Sequence, residues 1–147
     1  MEWWKFMVRY SNRTEILMAS LQSTTVDGAI IHKEGTAIKN GTSVLQIDYS
    51  TGTTFEINLG TWTNQIDTIN VINVAGGTYY KSFILHITQA SPATGFSWAA
   101  ISNVKWPGGG AGAPTITNTN GEKDILSFSS WDDGTTWYGK VIGLKYS

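Results

Sequence analysis

A chain of 147 residues has room for one domain of common size and hardly for two. Its formal charge of −1, from ten basic and eleven acidic residues, gives no electrostatic reason to expect nucleic acid or an anionic membrane as partner. The absence of cysteine excludes disulfides, thiolate catalysis, cysteine zinc sites and iron–sulfur clusters, and no apolar run approaches the roughly 18 residues needed to span a bilayer.

Residues 1–20 read as an N-terminal arm and 21–147 as the folded domain. Both arginines (Arg9, Arg13) and all three methionines (Met1, Met7, Met18) lie at the start, and every glycine lies after them. Charge and bulk are mixed too closely there for the apolar core of a secretory signal. Trp3, Phe6, Met7 and Tyr10 fall on one helical face, in a stretch short for a free-standing helix. Three readings stay open: an arm that docks a partner chain through Trp3, Trp4, Phe6 and Tyr10, a helix over the domain's own sheet, or sequence upstream of a start at Met18.

From Leu21 onward, short strand patterns are punctuated by turn residues. Val26 to Ile31 and Thr36 to Lys39 are candidate strands. Leu45, Ile47 and Tyr49 alternate with Gln46 and Asp48. After the turn Ser50-Thr51-Gly52, Phe55, Ile57 and Leu59 alternate with Glu56 and Asn58, so the two segments are expected to pair as a hairpin. Ile66 to Val74 follows. The clearest strand runs from Tyr79 to Thr88, with Phe83, Leu85 and Ile87 on one face and a mixed set on the other. Ser97 to Val104, Asp124 to Phe128 and Trp137 to Leu144 complete the set, with Asp132-Asp133-Gly134 as a tight turn between the last two.

Gly, Ser, Thr and Asn supply 57 residues (16, 13, 19 and 9), against 14% charged and 12% aromatic. Threonine and aromatics suit a pleated, half-buried surface, and glycine and asparagine suit turns. Together with the strand count this predicts an all-β fold, an antiparallel β-sandwich or jelly roll.

Chemistry-bearing motifs are sparse. There is no G-x-S-x-G elbow, H-E-x-x-H pair, P-loop or dinucleotide fingerprint. Of the two histidines, His32 and His86, His86 lies within the strongest strand and reads as a surface or core-edge strand residue. Asp132 and Asp133 read as a turn rather than a cation loop. No metal, cofactor or enzymatic activity is expected. The glycine-rich run Trp106 to Pro114 lacks the lysine and helix of a phosphate loop and reads as a flexible excursion between strands. Seven tryptophans exceed what a small core readily uses. Trp106, Trp131 and Trp137 border loops, and with Tyr138 they are candidate ligand-binding residues, since an indole stacks on the apolar face of a sugar. The competing expectation is that these tryptophans plug the ends of the core.

Val104-Lys105-Trp106-Pro107-Gly108-Gly109, Ala113-Pro114-Thr115, Gly121 to Phe128 and Asp133 to Gly139 occur in that order. Over roughly residues 95–143 this combination resembles the C-terminal domains of tail fibres and related surface proteins of bacteriophage virions. Extra Gly and Ala residues after Trp106 depart from the pattern, and residues 1–20 fall outside it. The resemblance implies a virion protein on the tail or capsid surface that recognises host glycan, contacts other virion proteins and assembles as a homotrimer. A capsid decoration (cement) or head-fibre protein is the alternative, and a free carbohydrate-binding module a further one.

Overall fold

Alternation of apolar and polar side chains produces the strands where the pattern is strictest. The computed structural model describes residues 34–147 except 75, 78, 79, 92 and 93. The expected strand over 26–31, His32 and the arm residues Trp3, Trp4, Phe6 and Tyr10 lie outside the described residues, as does Tyr79. Among the described residues there are eight strands: β1 (Thr36–Lys39), β2 (Val44–Asp48), β3 (Thr54–Asn58), β4 (Thr68–Ile72), β5 (Lys81–Thr88), β6 (Val104–Lys105), β7 (Lys123–Ser130) and β8 (Trp137–Tyr146). Among the described residues the only helical pieces are short 3-10 turns at Leu59–Thr61 and Gly109–Gly112.

The strands form two sheets, ordered β1-β2-β4 and β3-β5-β7-β8-β6. Their inward faces share one core: Leu45, Ile47 and Ile69 from the first sheet, and Phe55, Ile57, Phe83, Leu85, Ile87, Leu126, Phe128 and Trp137 from the second. Four rings stitch its centre, with Phe83 edge-on to Phe55 (5.7 Å) and Trp137 (4.8 Å) and stacked on Phe128 (4.9 Å). Strand β5 lies between β3 and β7; its inward parity is Lys81, Phe83, Leu85 and Ile87, apolar except for the lysine at its head, and its outward face is mixed.

The expected hairpin between β2 and β3 does not form. The two strands enter different sheets, and β2 pairs in parallel with β4 while β3 pairs in parallel with β5. The intervening bend is built by Asp48, whose side chain accepts from the Ser50 amide (3.1 Å) and hydroxyl (2.6 Å), and whose carbonyl accepts from the Thr51 amide (3.1 Å). Gly52 does not adopt positive φ, so the primed turn that matches the twist of a two-residue hairpin is missing. Phe55 and Ile57 therefore face Leu45 and Ile47 across the core instead of lying beside them. Pairing within the sheets is accordingly mixed where an antiparallel arrangement is expected: β2–β4, β3–β5 and β6–β8 are parallel.

The segment expected as a strand over Ser97 to Val104 is also different. Ala100 donates to Ser97, Ile101 to Trp98 and Val104 to Ile101, successive three-residue turns that leave only Val104–Lys105 extended. Trp98-Ala99-Ala100 lacks the branched residues that favour extension. Trp106-Pro107 then ends β6, since proline has no amide to continue the ladder. The glycine-rich run is a formed structure rather than a loose excursion. Ala113 donates to Gly110 (3.3 Å), and a Cβ at Gly112 would collide with the Pro107 carbonyl, so glycine is what lets the backbone close.

Candidate functional site

The β7–β8 hairpin carries the candidate site. Asp133 and Gly134 have φ of 57° and 81°, and the Thr135 amide donates to the Asp132 carbonyl (3.2 Å), the pattern of a tight primed turn. The buried Ser130 hydroxyl accepts from the Gly134 amide (3.0 Å) and donates to the Asp132 carboxylate (2.8 Å), which also accepts from the Thr136 amide (2.9 Å). The Thr136 amide, and then the Ser130 hydroxyl, hold the Asp132 carboxyl below the ordinary aspartate range. Lys81, at the head of β5, is buried and reaches the Asp133 carboxylate at 2.6 Å and the Gly77 carbonyl at 3.0 Å. Both adjacent aspartates are thus committed to fixing the turn.

This turn presents Trp131. Its indole is 61% exposed and stands between Tyr80, 58% exposed, and Tyr138, 51% exposed. Ring centroids are 5.0 Å apart for Tyr80–Trp131 and 5.8 Å for Trp131–Tyr138, with interplanar angles of 60° and 65°. Beside the rings runs a groove of about 310 Å³ on the outward face of the second sheet. Register explains its lining. Ser82 opposes Ser129, which opposes Tyr138; one row on, Ile84 opposes Ser127, which opposes Lys140. Aromatic faces therefore adjoin serine hydroxyls and one ammonium group, a set that can stack on a ring and hydrogen-bond its substituents.

Of the four candidate ligand-binding residues, the structure brings Trp131 and Tyr138 together on this surface. Trp106 and Trp137 are corrected to core residues, 7% and 0% exposed. Trp137 begins β8 with its side chain inward, in line with the buried Gly139. Trp106 lies over Gly139, where an added Cβ would come within 2.6 Å of the indole, so glycine at that strand position makes room for the ring. Among the described residues neither indole N–H finds a hydrogen-bond acceptor, at a cost of about 1–3 kcal/mol each, so volume and not polarity places them there. The aromatic that sequence reasoning missed is Tyr80. Its parity with Ser82 and Ile84 sets it on the outward face of β5, and extending the alternation two residues upstream would have found it.

His86 sits half-buried on the same outward face, opposite Glu56. Asp124, wholly buried, accepts from the Thr117 amide (2.6 Å) and the Lys145 amide (3.0 Å). It ties the loop before β7 to the end of β8, while Leu126 and Phe128 enter the core. Among the described residues no helix is long and apolar enough to cross a membrane, and no group of three His, Asp or Glu side chains converges as a metal site. Comparison with protein-family models, curated proteins and solved structures returns no match.

Proposed function

We propose that this chain is a bacteriophage virion surface protein that recognises host-cell glycan as a binding module rather than an enzyme. The observation that carries the reading is the cluster of Tyr80, Trp131 and Tyr138, each more than half exposed, with Trp131 presented by a hydrogen-bonded turn and the two tyrosines lining a groove rich in hydroxyls. Exposed rings on a rigid scaffold lose little entropy when they stack on a sugar. Lys140 at the groove makes it tolerant of acidic as well as neutral sugars. The ordered sequence blocks from Val104 to Gly139 support the virion assignment, and with it homotrimeric assembly. Purified protein should compete with the virion for adsorption to host cells, and the Tyr80→Ala/Trp131→Ala variant should not. Absence of cell binding by the wild type at about 1 μM, an affinity threshold near −8 kcal/mol, would contradict it.

A second reading, a capsid decoration protein, is favoured by one specific feature. Ile142 and Leu144 near the chain end are 49% and 38% exposed, apolar side chains of β8 suited to a protein neighbour. Ile142→Ser/Leu144→Ser should then abolish retention on particles while leaving cell binding intact. Retention of the variant on particles excludes this reading.

A further inference from the structure

A second groove lies at the other end of β5. It has a volume of about 580 Å³ and is walled by three segments distant in sequence: 63–65, 94–98 and 110–118. Buried and backbone hydrogen bonds fix all three relative to one another. Gln89, immediately after β5 and 2% exposed, donates to the Thr94 carbonyl (2.7 Å) and the Thr117 carbonyl (2.6 Å), and its side-chain oxygen accepts from the Ala90 amide (2.9 Å). Trp98 donates its indole N–H to the Pro114 carbonyl (2.8 Å). The Ile66 amide donates to Gly95 (2.8 Å) and the Ser97 amide to Ile66 (2.7 Å). The groove is therefore preformed, and its framework polar groups are already satisfied.

The rim differs from the framework. Thr63, Gln65, Thr115 and Asn118 are exposed, and among the described residues their side chains make no hydrogen bond. Two hydroxyls and two carboxamides can each donate and accept. No described lining residue carries an ionisable side chain. At the base, Trp98 is stacked on Phe96 with centroids 4.5 Å apart and planes 5° from parallel, so an aromatic wall backs the polar rim. A preformed cleft of this size, neutral, with unspent donors and acceptors around an aromatic base, suits a small ligand that is uncharged and rich in hydroxyls.

We propose that this groove is a second binding site, for a neutral oligosaccharide, independent of the aromatic cluster on the β7–β8 hairpin. An extended peptide is the poorer fit. Strand addition needs free backbone edges, whereas the backbones at Ile66, Gly95 and Ser97 are already paired with each other.

The test is titration of the full chain with cellotetraose, maltotetraose and chitotetraose, and with capped tetra-alanine as a neutral peptide, followed by amide chemical shifts. Three proteins are compared: wild type, Gln65→Ala/Asn118→Ala and Trp131→Ala. Both groove substitutions are at exposed positions, so the fold is retained. At least one tetrasaccharide should bind saturably, shifting the amides of Thr94, Thr115 and Asn118. Affinity should fall at least about ten-fold in the Gln65/Asn118 variant, one decade being about 1.4 kcal/mol, and be unchanged in Trp131→Ala. Three results would overturn the proposal: no saturable binding of any tetrasaccharide up to about 10 mM, binding of tetra-alanine alone, or shifts confined to the hairpin and lost in Trp131→Ala. The last would leave the hairpin site standing, and loss of hairpin binding with groove shifts retained would do the reverse.

Discussion

At the scale of single residues, two tryptophans six positions apart have opposite roles. Trp137 is wholly buried against Phe83 (4.8 Å) and Tyr49 (6.2 Å), whereas Trp131 meets only the exposed rings of Tyr80 and Tyr138 among the described aromatics and faces solvent. Trp137→Ala should therefore lower unfolding free energy by about 3–5 kcal/mol, and Trp131→Ala by no more than about 0.5 kcal/mol. Denaturant unfolding checks both; comparable losses would mean that Trp131 is structural. From sequence these residues look alike, since each borders the same turn. What separates them is strand parity: Trp137 shares the inward parity of Gly139, and Tyr138 the outward parity of Lys140. Counting parity outward from a turn depends on knowing where the ladder begins, and six residues, Trp131 to Thr136, intervene between the paired strands.

At the scale of elements, the turn joining β7 and β8 links the site to a titrating group. The native Asp132 carboxyl is held below its ordinary value of 3.8. The folded state thus binds fewer protons than the unfolded state around that pH. The stabilisation is fully present above the unfolded value and is lost as pH falls through the lower native one. Hydrogen exchange at the Thr136 amide should accelerate on acidification below about pH 3.8, beyond the intrinsic change, and Asp132→Asn should remove that response while keeping an acceptor. An identical pH profile in the variant would mean the carboxylate does not hold the turn. Other elements show how far patterning reaches. Alternation places β2, β3, β5, β7 and β8 on the correct segments because each buries one face. It says nothing about which strand lies beside which, so the parallel pairs β2–β4 and β3–β5 were not legible. The second groove was hidden for a related reason: its walls come together through the side chains of Gln89 and Trp98 and an isolated backbone pairing at Ile66, none of which has a local signature.

At the scale of the molecule, the two sheets have no cysteine to staple them and bury their apolar faces against each other; Leu45 and Ile47 of one share a core with Phe55, Phe83, Phe128 and Trp137 of the other. That core leaves the surplus aromatics to the surface, where Tyr80, Trp131 and Tyr138 gather at the head of β5. The function proposed rests on that division between buried and displayed rings. It is tested most directly by a glycan array carrying bacterial surface polysaccharides, probed side by side with wild-type protein and Trp131→Ala. Selective binding by the wild type is expected, with at least a ten-fold loss in the variant, about 1.4 kcal/mol, and no change in its unfolding transition. Equal binding by the two proteins, or none by the wild type, would contradict it.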